Sequence, residues 1–490
     1  GDWSSDVCSS DLKGELMAKV VVLGSGFAGQ TCAFNLKKSL SKKDEVVVVT
    51  PQEKFGYIPS YIWVGIGKMD VEKTQFKLAP VFKKMGIGYV QGLATQVYTD
   101  DQYVIVTKDG KEEKVSYDYL VNATGPKLNF AATKGLGPIE GNSVSVCTPT
   151  HAVEAASEYK EVIKKLEQGI PQTLVIGTGH GMATCQGAAF EYIHNIAFDL
   201  EERGLLELAN IIWISNEQAA GDFGVGGMVI EKGNYKVSGK MFAESTFVEK
   251  GIEWITGAHV KEVRKNALEY IDLDGNEETL TFDFAMLIPA FAGVPMQYIN
   301  KNGDDITNEL CAPNNMLKVD ADYSSAGRGY DNWKAGDWPR TYQNPQYKNL
   351  FAAGIAFAPP HPISKPGAAP DGTPITATPP RTGMASAIIG HTVALNVADM
   401  VKGKEPSHSA SMAEFGAACV ASMGKSFWRG SAATMVMYPV VPDYDKYETG
   451  RDLSYTFGDQ GRAGHWLKAI LHHTFIYKMQ GKFGWSLIPD

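Results

Sequence analysis

Short apolar runs that stop at a turn residue set the pattern of this chain. Ala18 to Leu23 (AKVVVL) is one such run and Glu45 to Thr50 (EVVVVT) is another. Residues apolar at consecutive rather than alternate positions predict central strands of a parallel sheet, buried on both faces. Between the two runs lie Gly24-Ser25-Gly26-Phe27-Ala28-Gly29 and a helix-compatible stretch from Gln30 to Leu40. A strand, a glycine turn, a helix and a strand within about thirty residues form the βαβ unit that binds dinucleotides.

The pattern repeats further on. Thr173 to Ile176 is apolar, Gly177-Thr178-Gly179-His180-Gly181 is a turn, Met182 to Ile196 reads as a helix, and Ile211 to Ile214 as the next strand. Two more strands run into glycine turns, at Tyr119-Leu120-Val121-Asn122-Ala123-Thr124-Gly125 and at Leu350-Phe351-Ala352-Ala353-Gly354. Ala358 to Pro380 is rich in proline, glycine and threonine and predicts an ordered surface loop. Arg381 to Met400 predicts a helix rich in small residues. The expected architecture is therefore α/β with two Rossmann-like domains, the second inserted into the first. The expected boundaries are 17–165 with 297–403 for the first domain, 166–296 for the second, and 404–490 for a separate C-terminal element.

That C-terminal element is amphipathic. Phe427-Trp428, Met435, Met437 and Tyr438 form an aromatic stretch. Trp466-Leu467, Ile470-Leu471, Phe475-Ile476 and Met479 recur at helical spacing, interleaved with Lys468, His472, His473 and Lys478. An apolar face edged by aromatic and cationic residues suits a helix lying in a membrane interface.

The glycines carry the first chemistry. Gly24 permits the tight turn, Gly26 lets backbone approach a pyrophosphate, and Gly29 lets the helix close on the strand. Free N–H groups at the helix start then attract phosphate. The acidic residue usual at the end of the second strand is replaced by Thr50-Pro51-Gln52, leaving Glu53 as an alternative ribose partner. At the second turn Met182-Ala183-Thr184-Cys185 stands where a compact third glycine is needed. Loss of NAD binding is expected there, although Glu217 could still hold a ribose.

Net charge is -9, which excludes a nucleic-acid partner because phosphate binding needs a basic excess. The 6 cysteines contain no CxxC and no zinc spacing, so neither a disulfide scaffold nor a metal site is expected. Residues 1–16 (GDWSSDVCSSDLKGEL) read as a non-native, adapter-like leader before a natural start at Met17, which sets Cys8 aside. No secretory signal follows, and no run of 18 apolar residues is present.

From Met17 onward the chain resembles the sulfide:quinone oxidoreductases, a branch of the two-dinucleotide-binding-domain flavoproteins with a glutathione-reductase-like fold. The resemblance rests on a combination of segments. These are Phe55-Gly56-Tyr57-Ile58-Pro59-Ser60 with Trp63 and Gly67, Ala123-Thr124-Gly125-Pro126-Lys127-Leu128, Gly135-Leu136-Gly137-Pro138 and Ser145-Val146-Cys147-Thr148-Pro149-Thr150-His151-Ala152. Gly221 to Gly227, Glu249 to Trp254, Arg381-Thr382-Gly383-Met384 and the tail Lys478 to Pro489 complete it.

The resemblance implies an FAD-dependent enzyme that oxidises sulfide to polysulfide or sulfur and reduces a membrane quinone. It implies FAD held by Gly24, Gly26, Phe27, Ala28, Gly29, Thr50, Ala123, Thr124, Gly125, Gly354, Arg381, Thr382 and Gly383. Arg381 would begin a helix aimed at the flavin pyrimidine ring. By analogy with one branch of the family, Cys185 and Cys419 would be the redox pair, with Cys147 facing the flavin or linked to it. Ile355 stands where another branch has its third cysteine, and Asp222 replaces a histidine common near Gly221. Cys32 and Cys311 read as inert core thiols, and His151 as a structural histidine or a proton relay. Monotopic attachment to a membrane, on the cytoplasmic side, is the expected location, with a homo-oligomer left open. The rival readings are a type II NADH:quinone oxidoreductase, a sulfide dehydrogenase serving a cytochrome subunit, and an inactive flavin-binding sensor or scaffold.

Overall fold

A computed structural model describes residues 17–490, so the leader and Cys8 lie outside the described residues. The first apolar run forms β1 (Lys19–Leu23) and the second forms β2 (Glu45–Thr50), paired in parallel with Val21 beside Val47. Val20, Val21, Val22 and Leu23 are fully buried, as the run of consecutive apolar residues requires. The sheet order is Leu350–Ala352, Tyr119–Asn122, β1, β2, Gly88–Gln91, every pairing parallel. Both strand-to-glycine segments read from the sequence thus flank β1 on the same side.

Helix α1 (Phe27–Ser39) begins three residues earlier than its pattern suggested, because the glycine turn itself winds into the first turn. The second glycine unit supplies β3 (Gln172–Thr178) and β4 (Ala209–Ile214), which lie in a parallel sheet ordered Glu253–Ile255, β4, β3, Phe284–Ile288. Its helix, α2 (Gln186–Glu202), starts four residues later than expected. Residues 179–185 form an irregular turn instead.

Helix α3 (Gly383–Val401) also starts late, so Arg381 precedes it rather than opening it. This helix is long and apolar enough to cross a membrane by composition, yet it is largely buried. It lies against α1 at close range, where a methyl on Gly390 would stand 2.5 Å from the Ala28 carbonyl oxygen. We therefore assign it to the core.

The segment 358–380 does lack regular helix or strand, but it is not simply a surface loop. His361, Ile363, Ser364, Ala369, Ile375, Thr376 and Ala377 are buried, because the segment crosses the second glycine turn. The C-terminal aromatic stretch folds into an antiparallel sheet of β5 (Ala417–Ser422), Ala432–Met437 and Phe457–Gly461. It is followed by α4 (Arg462–Met479). Asn195 on α2 donates to the Ser422 carbonyl at 2.7 Å, tying β5 to the second Rossmann-like unit.

Candidate active site

Two helix N-termini meet at Phe27. It is the first residue of α1, and a methyl on Gly383, the first residue of α3, would lie 3.3 Å from its ring. Neither helix has a side-chain cap, so their first N–H groups are free to bind an anion. A methyl on Gly26 would meet nothing within 4 Å, which leaves the backbone open to a pyrophosphate. Around that space the chain is tight. Gly24 has φ 102°, and a methyl there would sit 2.2 Å from the Ala123 carbonyl oxygen, while one on Gly29 would sit 2.2 Å from that of Gly24. Gly354, at φ 68°, similarly faces Ala28.

Thr50 stands at the end of β2, accepting a hydrogen bond from Ser25 Oγ at 3.1 Å. Glu53 is instead exposed and pairs with Lys77 at 3.3 Å. Thr382 Oγ1 is buried without a hydrogen-bond partner at the start of α3. An orphaned hydroxyl, an open glycine and two uncapped helix ends are what the phosphates and polar ring edge of FAD would satisfy, so the residues fit that cofactor.

The second glycine turn is closed. Gly181 N–H donates to His259 Nδ1 and Met182 N–H to His180 Nδ1, each at 3.0 Å. The Gly181 carbonyl accepts from Thr376 N–H at 2.8 Å, and a methyl on Gly181 would lie 2.2 Å from the Pro374 oxygen. Burial, then the neighbouring His259, push His180 down to about 4, so it stays neutral. The amides that would cradle a second pyrophosphate are spent on protein partners. Glu217 is unavailable to a ribose as well. It is fully buried, accepting from Ser215 Oγ and from Phe223 N–H, each at 2.7 Å. Burial, reinforced by Asp222, raises its carboxyl to about 8.

Cys147, Cys185 and Cys419 are all free thiols, each half-buried. Cys185 lies between the other two electrostatically. Burial raises it to about 12, with the Cys147 charge adding to the rise and Arg381 opposing it. Burial raises Cys419 to about 11, with Glu191 adding, Lys468 opposing and Cys185 adding. Cys147 is raised to about 11 by burial, against a hydrogen bond with Ser145 Oγ. Cys185 is the N-cap of α2, and a methyl on Gly187 in the first turn would lie 3.9 Å from Cys419 Sγ. Three thiols remote in sequence therefore gather at one helix start. Arg381 donates to the Ile355 carbonyl at 3.1 Å, and burial lowers it to about 10, so it stays cationic at neutral pH.

Sequence reasoning missed Glu191 and passed over Lys468 as an interfacial cation. The two form a buried ion pair at 2.5 Å, and Lys468 Nζ also donates to the Val420 carbonyl beside Cys419. Glu191 lies six residues beyond Cys185, within an otherwise apolar helical pattern, and that was the only available signal. The place of the cations on α4 is corrected, while its apolar side is exposed as an interfacial helix requires. Lys468, His472 and Lys478 face inward, whereas Trp466, Leu467, Ile470 and Tyr477 face out. His151 is half-buried with its pKa lowered by burial, and Cys32 and Cys311 lie in the core.

Fold and site together define a flavoprotein oxidoreductase with two dinucleotide-binding-type domains, and residues 18–190 match the family model described as pyridine nucleotide-disulphide oxidoreductase. Within that class the chain is similar to the sulfide:quinone oxidoreductases. It is 29% identical to the sulfide-quinone reductase of Aquifex aeolicus over 95% of this chain and 92% of that protein. The X-ray structure of the Aquifex aeolicus sulfide:quinone oxidoreductase superposes with a TM-score of 0.76 at 28% identity, covering 95% of this chain and 92% of the other. A mitochondrial sulfide:quinone oxidoreductase of Dictyostelium discoideum is 32% identical over 31% of this chain and 32% of its own. The Plasmodium falciparum NDH2 structure shares the fold at a TM-score of 0.63 and 14% identity, covering 96% and 97% of the two chains.

Proposed function

We propose that this protein oxidises sulfide through Cys185, Cys419 and FAD and delivers the electrons to a membrane quinone. The observation that carries the reading is the gathering of chain-remote thiols beside a dinucleotide cradle while the nicotinamide-type turn is plugged. We take 17–165 with 297–403 as the FAD-binding part and 166–296 as the part that presents Cys185.

With Cys185 and Cys419 joined as a disulfide, hydrosulfide attacks one sulfur and the S–S bond breaks. The attacked cysteine then carries a persulfide and its partner leaves as thiolate, the incoming sulfur losing the two electrons that the disulfide gains. FAD, when bound, supplies the two-electron acceptor that lets the pair be reoxidised, with quinone as the final sink. The residues manage charge around this exchange. Burial disfavours a thiolate, so the α2 N-terminus and the Arg381 cation favour ionised Cys185 when it is released. Glu191, its carboxyl raised by burial, is suited to take the proton of the persulfide, and Lys468 keeps its charged form tolerable. Cys147 would face the flavin.

Peripheral membrane attachment is supported by the exposed apolar side of α4. A helix that turns its lysines inward and its tryptophan, leucine and isoleucine outward needs an apolar surface to cover it. We place that surface on the cytoplasmic side.

Anaerobic mixing of the purified yellow protein with sulfide or with NADH tests the reading. Sulfide should bleach the flavin, NADH should not, and an added short-chain quinone should restore the colour. Bleaching by NADH alone would favour the NADH:quinone reading, and bleaching by neither would leave a flavin-binding sensor or scaffold.

A further inference from the structure

A cavity of about 1000 Å³ lies between the segment Trp63–Lys73 and α4, with no cysteine in its lining. Its lining is cationic, with Lys68, Lys73, Lys425 and Lys482 present beside His465, His472 and His473, against one carboxylate, Asp70. That carboxylate is occupied in capping Glu72 N–H at 3.0 Å. Lys68 is neutralised by Asp199 at 2.5 Å. Among the described residues, Lys73, Lys425 and Lys482 have no acidic partner. Lys425 instead lies 4.7 Å over the Trp63 ring and donates to the Lys68 carbonyl at 2.7 Å. Burial, then Lys73 and Lys68, lower it to about 8, so its charge is held at a disadvantage that an anion would relieve. Two lining atoms, His465 Nδ1 and Gln480 Oε1, are buried without any hydrogen-bond partner.

The cavity borders exposed apolar surface of the C-terminal element. Phe427 is 65% exposed, Trp428 70% and Ile470 57%. Phe427 and Trp428 follow Lys425 in the chain, and Trp466 Nε1 donates to the Phe427 carbonyl at 3.1 Å, joining that loop to α4. Ile476 and Tyr477 belong to the cavity wall itself. An anion entering here would have its charge among lysines and its apolar remainder against aromatic rings, which selects an amphiphile over a free ion.

We propose that this cavity binds the phosphate headgroup of an anionic membrane lipid, Lys73, Lys425 and Lys482 supplying the charge and His465 a hydrogen bond. The proposal rests on the membrane reading above and adds a headgroup-specific site to it. It assigns no role in sulfide oxidation to these lysines.

Vesicle flotation of the FAD-loaded full chain tests it. One set of vesicles is phosphatidylcholine alone and the other contains a minority of phosphatidylglycerol. The wild type should bind both and prefer the second. Lys73→Gln, Lys425→Gln and Lys482→Gln combined should lower binding to the anionic vesicles on the order of 100-fold, about 5-fold per lysine, with phosphatidylcholine binding unchanged. A control with the same charge change on remote exposed lysines, Lys265→Gln, Lys301→Gln and Lys365→Gln, should keep the preference. Equal loss in both triple variants overturns the site in favour of diffuse charge. If the triple variant fails to retain flavin, Lys73→Gln and Lys482→Gln, both on exposed residues, are read singly and each should give a partial loss. Calorimetry with inorganic phosphate separates the sources. Tight binding of phosphate without any lipid preference overturns the lipid assignment. Absence of vesicle binding by the wild type defeats the membrane reading itself, whereas lysine-insensitive binding defeats only the cavity.

Discussion

Cys185 adopts φ 65°, a left-handed conformation that a non-glycine residue enters at roughly 1–2 kcal/mol. Such strain persists where the surroundings over-determine the backbone, and here it falls at the N-cap of α2, whose first turn lies beside Cys419. Replacing Cys185 or Cys419 by serine should slow sulfide-dependent flavin bleaching on the order of 1000-fold or more, read by anaerobic stopped flow. Glutamine at Glu217 tests a different residue. Its folded carboxyl at about 8 lies above the ordinary 4.5, so the native protein holds a proton that the unfolded chain releases. The stabilisation is complete below the unfolded value and is lost as pH rises through the folded one. Urea midpoints of the wild type should therefore fall between pH 4.5 and 8, and Glu217→Gln should flatten that decline. At this scale the sequence named the three cysteines only through a family resemblance. No local pattern distinguished them from Cys32 and Cys311, because a thiol's reactivity depends on neighbours that arrive from elsewhere in the chain.

Helices α1 and α3 show what an element can and cannot announce. The glycine turn and flanking strands made the βαβ unit legible, since turn geometry and consecutive burial both leave local signatures. Gly29→Ala should abolish the close approach of α1 to the Gly24 carbonyl, and the purified variant should carry little flavin and lose its yellow absorbance. Helix starts were less legible. Arg381 fell outside α3 and Cys185 fell at the cap of α2, because apolar periodicity records which face is buried and not which amide first closes a turn. For α4 the spacing and the outward apolar side agree with the pattern, but Lys468 and Lys478 lie inward rather than at an interface. Periodicity fixes a stripe on a helix, but whether that stripe faces core or surroundings depends on what lies opposite.

Glu191 of α2, Lys468 of α4 and the β5 carbonyl of Val420 tie three distant segments of the molecule together. Removing one partner of a buried ion pair leaves an uncompensated charge, at about 3–5 kcal/mol. Lys468→Ala should therefore lower the urea midpoint of the whole protein sharply, and Lys468→Ala with Glu191→Gln should recover part of the loss in a double-variant cycle. The second Rossmann-like unit carries the same lesson for the molecule as a whole. Its glycine turn survives as a shape, while His180, His259 and the 358–380 segment fill the place of a second dinucleotide. The chain's own order of residues determined the parallel strands, the first glycine cradle and the two-unit α/β plan, because these follow from periodicities of a few residues. Only tertiary structure decided that Cys419 meets the start of α2, that Glu217 is sealed away, and that α4 turns its lysines inward. The first and last depend on contacts across hundreds of residues, and all three on burial that no local pattern of polarity encodes.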